Sequence, residues 1–299
     1  MTPLPSPQQL RYLIALAESR HFGHAAAACA VTQSTLSAGI LALERQLDAH
    51  ILDRRAGRRV VFTPLGLDLV GRAKHALAAL EAVSEAAAGA RAPMSGPLRL
   101  GVIPTIGPFL LPRLMPALRA AFPQLRLFLR EDTTEHLVER LATNRLDVLL
   151  LALPCACAGA ETTPVARDEF VAALPPGHPL AAAEFVTPAA LAAERLLLLE
   201  DGHCLRQQAL AACGAVSAGN ADGFAATSLH TLVQIVAGGM GVTLLPRLAV
   251  AAGITAGADL ALRPLSGSGA WRTLGLAWRP NAPRAAEYRA LLPVLAAAI

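Results

Sequence analysis

Across residues 89–97, GARAPMSGP, the chain changes period. Before this stretch, apolar residues recur three or four positions apart, the spacing of helices. After it, short apolar runs alternate with helix-like segments. The Gly/Pro-rich stretch between them reads as a hinge. A helical front and an α/β body are therefore expected, and each half must be read for its own chemistry.

In the front, Ser6 and Pro7 open a helix as cap and first turn, and Leu10, Leu13, Ile14 and Ala17 form its apolar face. Gly23 is expected to break the chain before a short Ala-rich helix over residues 24–30. A third helix starts near Gln33, with Thr32 as cap and Leu36, Ile40, Leu43 and Leu47 as core stripe. Three short helices with a tight second connection form a helix-turn-helix pattern. Gln33, Ser34, Thr35 and Ser37 stand at the exposed start of the third helix. They are suited to base edges and phosphates, or serve only as helix caps. Residues 51–62 read as a hairpin with Gly57 in the turn and Arg54, Arg55, Arg58 and Arg59 at the tip. Arginines so crowded suit a wing on a polyanion, or form a solvated loop. From Thr63-Pro64 to Ala88 runs a helix-rich segment with Leu69, Val70, Ala73, Leu77, Leu80 and Val83 on one face. Its length is roughly 38 Å. A stripe that long needs a second copy or packs back on its own domain.

In the body, strands are expected over residues 98–102, 125–130 and 148–151, with helices over 109–122 and 133–143. Pro112 and Pro116 complicate the start of the first helix. The order βαβαβ implies a parallel sheet. A second set has strands at 170–174, 196–199 and 242–245, with helices at Cys204 and over 228–237. A strand over 274–278 and a helix from Pro283 close the chain. Two such units would flank a cleft.

Cys204 and Cys213 lie nine positions apart across LRQQALAA, a run of good helix formers. Nine helical steps separate the Cα atoms by about 13.5 Å, on opposite sides of the helix. A disulfide requires Cα atoms within about 7 Å. The pair is therefore either a switch that refolds on oxidation or two small buried apolar residues. The five cysteines, at 29, 155, 157, 204 and 213, fit no secreted disulfide framework in a chain of 299 residues. The N-terminus lacks the pattern of a signal peptide, and the apolar runs are too short or too broken to span a bilayer. A cytoplasmic location is expected, where disulfides are transient. The composition, 54% hydrophobic and 16% charged, supports a large core, and a net charge of +4 permits a polyanion partner. The glycines form no nucleotide-phosphate fingerprint.

HFGHAAAACAVTQSTLSAGILALERQL followed by ILDRRAGRRVVFTPLG resembles the winged helix-turn-helix of LysR-type regulators. EDGHCLR, a second cysteine nine residues on, then ATSL and GVTLLP resemble the peroxide-sensing, OxyR-like branch of that family. The likeness covers nearly the whole chain. It implies a winged helix-turn-helix domain over residues 1–63 and a linker or dimerisation helix over 64–91. An effector domain over 92–299 would have a two-lobed, periplasmic-binding-protein-like α/β fold. Lobe I would cover about 97–165 plus 271–299, and lobe II about 166–270. The resemblance places Gln33, Ser34, Thr35, Ser37 and the four wing arginines on promoter DNA.

It also implies that hydrogen peroxide oxidises Cys204 to a sulfenic acid, which condenses with Cys213. A helix start at Cys204 favours the thiolate, His203 and Arg206 add positive charge, and Glu200 and Asp201 oppose it. Thr105 and Thr134 match hydroxyls that hold peroxide in the family, though each also fits a loop or helix cap. The expected protein is a homodimeric or homotetrameric activator, not an enzyme, acting with RNA polymerase and without cofactor, metal or membrane. A regulator gated by a small metabolite in the interlobe cleft is the alternative. A peroxidase is a third class, and the DNA-binding domain argues against it.

Three features depart from the resemblance. Leu41 and Ala42 stand where relatives often carry basic residues. Gly223 and Ala225 replace a His and an Arg. Cys155-Ala156-Cys157 is additional, suited to thiol exchange or a soft metal. Cys29 is expected in the core.

Overall fold

A computed structural model of the chain describes residues 4–53, 60–91, 93–157, 159–214, 226–266 and 270–299. The chain divides into two compact units, Met1–Ala88 and Gly89–Ile299.

The first unit packs α1 (Pro7–Ser19), α2 (Phe22–Ala28) and α3 (Gln33–Leu47) around Leu13, Leu16, Leu36, Ile40 and Leu43. Ser6 and Gln9 close a reciprocal capping box on α1. Gly23 does not break the chain as expected but lies inside α2. The reason is a cap the sequence did not advertise. The His21 ring accepts the N–H groups of Gly23 and His24 through Nδ1, at 3.1 and 3.3 Å. Buried Glu44 of α3 accepts the N–H groups of Ile51 (2.8 Å) and Leu52 (3.2 Å), which ties down the base of the expected hairpin. Leu52 and Phe62 pair as an antiparallel bridge there. Gly57, Arg54, Arg55, Arg58 and Arg59 lie outside the described residues. In α4 (Pro64–Arg91), Val70 and Ala73 join the core and Leu77 is buried. Leu80 and Val83 remain 48% and 69% exposed, so the unit covers only the first part of the stripe.

The second unit is a mixed α/β sheet. Its strands are β1 (Gly96–Val102), β2 (Leu125–Glu131), β3 (Val148–Leu153), β4 (Glu161–Leu174), β5 (Thr243–Pro246), β6 (Ala261–Pro264) and β7 (Trp271–Trp278). They run in the order β2-β1-β3-β7-β4-β5, with β6 also on β4. β1 is parallel to β2 and β3, as the βαβαβ order requires. β7 returns antiparallel between β3 and β4. β4 is far longer than the expected 170–174. Its first half pairs with β7, and its second half pairs with β5 and β6. Pro164 sits beside a bulge, which absorbs the missing N–H. Residues 196–199 are not a full strand. They touch Val242 and Ala226 only through single bridges at Leu196 and Leu199.

The helices are α5 (Gly107–Ala121), α6 (Thr134–Ala142), α7 (Pro188–Ala192), α8 (Cys204–Ala212), α9 (Leu229–Ala237), α10 (Arg247–Ala251), α11 (Ala285–Ala290) and α12 (Leu292–Ala298). α5 carries both Pro112 and Pro116 within it. They lie on its exposed side, while Phe109, Leu110, Leu114 and Leu118 face the core. The carbonyls they strand are on the watered side, which makes them tolerable.

Candidate functional site

In the first unit, Thr32 caps α3 by accepting the Thr35 N–H at 3.2 Å. The hydroxyls of Ser34 and Thr35 stand 2.9 and 2.8 Å from the Thr32 hydroxyl. The capping role is therefore real, and it rests mainly on Thr32. Gln33, Ser34, Thr35 and Ser37 are all exposed on the leading turn of α3. Leu41 and Ala42 are exposed further along the same helix.

In the second unit, three helix beginnings meet at one crevice. Its walls are Ile103–Thr105 before α5, Thr133 and Thr134 at the start of α6, and Gly202–Cys204 at the start of α8. The crevice is tight and as it stands has essentially no space for a water-sized molecule, so a guest must widen it. Helix N-termini carry partial positive charge, so the crevice favours anions. Gly202 adopts φ +95°, a turn that lets the chain enter α8 at His203 and Cys204.

Cys204 is partly exposed and opens α8, and its thiol is free. Thr105 is buried, and its Oγ1 accepts a hydrogen bond from Arg272 Nη1 at 2.8 Å. That leaves the Thr105 O–H to donate elsewhere. Thr134 Oγ1 is buried and has no hydrogen-bond partner among the described residues. An unmet buried hydroxyl costs about 1–3 kcal/mol, which a polar guest would relieve.

His203 lines the crevice, with Nε2 3.9 Å from Glu200 Oε1. Arg206 does not line it. Its Nε pairs with Asp201 at 3.0 Å, and Nη1 donates to the Leu199 carbonyl at 3.1 Å. Of the two acids expected to oppose a thiolate, Asp201 is thus paired with Arg206 and Glu200 lies toward the His203 ring.

Asp132 organises the start of α6. It accepts Arg130 Nη2 (2.9 Å), the Thr133 N–H (3.0 Å) and pairs with His136 Nδ1 (2.9 Å). Burial pushes its carboxyl up, but hydrogen bonds from Arg130, His136 and the Thr133 N–H outweigh this and hold it at about 2.

Cys213 closes the far end of α8 and is 4% exposed. It shares the buried face of the helix with Leu205 and Ala209, at i, i+4 and i+8. Burial pushes its thiol up to about 11. The intact helix stands between the two sulfurs, as the spacing requires. Gly223 and Ala225 lie outside the described residues. Cys29 is only partly buried, just after α2, and burial raises its thiol while Arg11 lowers it. Cys155 and Cys157 are joined as a disulfide.

Sequence reading missed Arg272 and Asp168. Arg272 Nε donates to Asp168 Oδ2 at 2.9 Å, and both side chains are buried. Its Nη2 also donates to the Thr105 carbonyl at 2.9 Å, while Asp168 Oδ1 accepts the Leu248 N–H at 2.9 Å. The network fixes the Thr105 loop to β7, β4 and α10. The available signal was an ionisable residue of opposite sign in each of two strands, and the β4–β7 register sets Asp168 directly opposite Arg272.

A family profile described as "Bacterial regulatory helix-turn-helix protein, lysR family" matches residues 7–67, and one described as "LysR substrate binding domain" matches residues 91–299. The chain is 41% identical over 290 residues to the DNA-binding transcriptional dual regulator OxyR of Escherichia coli K12, covering 97% of this chain and 94% of that protein. Among solved structures, a cysteine-to-aspartate variant of full-length OxyR from Pseudomonas aeruginosa superposes with a TM-score of 0.76 at 35% identity, covering 99% and 98% of the two chains. A cysteine-to-serine variant of Corynebacterium glutamicum OxyR with hydrogen peroxide bound gives 0.67 at 32% identity, covering 100% and 94%.

Proposed function

Because the chain belongs to the LysR family of bacterial helix-turn-helix regulators, we propose that it is a transcriptional regulator that binds promoter DNA and senses hydrogen peroxide through Cys204. One arrangement carries the reading: a thiol at a crevice of three helix starts, with its partner thiol at the other end of the same helix.

Peroxide enters beside Cys204. Thr105 donates its O–H to the peroxide, and Thr134 supplies a hydroxyl with an unused capacity. The Cys204 sulfur attacks one oxygen and the O–O bond breaks. The leaving hydroxide takes a proton and departs as water, and Cys204 becomes a sulfenic acid. The positive helix ends favour the charge that develops. His203 and Arg206 act nearby, Arg206 by holding the turn before Cys204 rather than by touching the oxidant.

Cys213 completes the reaction. Its buried thiol resists ionisation until the last turns of α8 loosen. Once released, it attacks the Cys204 sulfenic sulfur, expelling the hydroxyl as water and leaving a Cys204–Cys213 disulfide. Unwinding costs a few kcal/mol, since exposing Leu205 alone forfeits about 1.5–3 kcal/mol. The bond formed offsets that.

DNA is read by Gln33, Ser34, Thr35 and Ser37 on α3, with Arg54, Arg55, Arg58 and Arg59 on the backbone or minor groove. Domain limits of 1–63, 64–91 and 92–299 follow from this assignment. The exposed Leu80 and Val83 support α4 as the helix through which a homodimer, and from it a homotetramer, assembles. The protein acts on RNA polymerase in the cytoplasm as an activator and not as an enzyme. No single helix among the described residues is long and apolar enough to cross a membrane.

Footprinting on the protein's own promoter tests this directly. Peroxide is expected to change the protected region, and Cys204→Ser is expected to freeze it in the reduced pattern. A promoter response that survives Cys204→Ser would instead favour a metabolite in the interlobe cleft.

A further inference from the structure

We propose that Cys155 and Cys157 are a second thiol–disulfide couple, worked by external thiols and disulfides and independent of Cys204 and Cys213. The structure bonds the two sulfurs across a separation of two residues, with Cα atoms 5.1 Å apart.

Such a bond does little for the fold. A cross-link stabilises mainly by removing chain entropy from the unfolded state, and a loop this small has little to remove. The segment's ends are also fixed without it. Leu153 pairs with Thr273, and Glu161 pairs with Trp278, so β7 holds both flanks. A bond that is not needed as a staple is available for exchange.

Access is arranged for exchange. Both cysteines line a cleft of about 500 Å³. Cys155 is partly exposed there, whereas Cys157 is 7% exposed. An incoming thiolate therefore meets Cys155 first. Thr162 and Thr273 also line the cleft, so its walls are not wholly apolar. A metal centre fits less well. No group of three or more His, Cys, Asp or Glu side chains suited to a metal occurs among the described residues.

The reaction balances with a dithiol as reductant. One of its thiolates attacks Cys155 Sγ, the Cys155–Cys157 bond breaks, and Cys157 leaves as a thiolate that takes up a proton. The second thiol of the reductant then attacks its own sulfur in the mixed disulfide and releases Cys155 as a thiol. The reductant departs as a cyclic disulfide, having given two electrons. In reverse, a small disulfide oxidises the pair and leaves as two thiols.

The test uses the full chain carrying Cys204→Ser and Cys213→Ser, so its outcome does not depend on the peroxide reading. The protein is equilibrated in mixtures of dithiothreitol and its cyclic disulfide, quenched with an alkylating agent and weighed intact. The expected result is a single transition of two adducts, mapped to the peptide with Cys155 and Cys157, with the circular dichroism spectrum unchanged. Two free, alkylatable thiols at every mixture would overturn the proposal. So would reduction that occurs only with loss of the fold, or protection of both thiols by stoichiometric zinc in place of a disulfide. In single-cysteine versions of the same protein, oxidised glutathione is expected to label Cys155 at least about 10-fold faster than Cys157. Equal rates would contradict entry at Cys155.

Discussion

Cys213 is held back from reaction where it lies, because burial disfavours its thiolate. At pH 8 a thiol held at about 11 is ionised roughly 100-fold less than one at the ordinary 9.0. Native Cys204→Ser protein should therefore be alkylated at Cys213 about 100-fold more slowly than the same protein in denaturant. The rate should climb about tenfold per pH unit up to pH 11. The sign for stability follows from the same burial. The neutral thiol favours the folded state fully below pH 9, and that contribution fades as pH rises from 9 to 11. Thr134 makes the complementary case. Thr134→Val removes a buried hydroxyl with no partner among the described residues, so thermal stability should hold or rise while peroxide oxidation of Cys204 slows about tenfold. A variant that loses stability and keeps its oxidation rate would place Thr134 in the core instead. Asp168→Ala should cost about 3–5 kcal/mol by leaving Arg272 buried without its carboxylate, measured by urea unfolding. At this scale the cysteines and threonines were legible because their spacing and sequence context are local. Arg272 and Asp168 were not, because their partners lie 104 and 167 positions away.

Among the elements, α8 carries the proposed switch, and its own stability should set the oxidation poise. Gln207 is exposed in mid-helix. Gln207→Gly should weaken α8 by about 1 kcal/mol or slightly less, making the Cys204–Cys213 couple about 20 mV more reducing. An unchanged potential, read from thiol–disulfide equilibration, would mean that α8 does not unwind. Elements with local signals were found from sequence: α1 and α3 announce their Ser6 and Thr32 caps, and β1 and β3 their apolar runs. Those that depart from such signals were misread. The first half of β4 is broken by Pro164 and loaded with Arg167, Asp168 and Glu169, yet pairing with β7 makes it a strand. α2 owes its start to an imidazole cap, and α5 tolerates prolines because its outer side faces water.

For the whole molecule, DNA binding should be less steeply dependent on salt than in densely basic relatives, because exposed Leu41 and Ala42 add no charge to α3. Leu41→Arg should steepen the slope of log K against log salt by about 0.9, the yield of one more phosphate contact. No change in slope would remove position 41 from the DNA face. The division into a helical front and an α/β body was visible in the change of period at residues 89–97, since periodicity survives without knowledge of contacts. How β7 returns between β3 and β4 was only partly legible, because long-range pairing leaves no period of its own.

The central proposition is that oxidation forces apart a helix that keeps two sulfurs from meeting. Peptide mapping after one equivalent of hydrogen peroxide tests it most directly. The expected result is a Cys204–Cys213 crosslink, lost in Cys204→Ser, together with weakened amide protection across residues 204–212. Recovery of both thiols fully alkylatable, or a crosslink formed with α8 still protected, would contradict it.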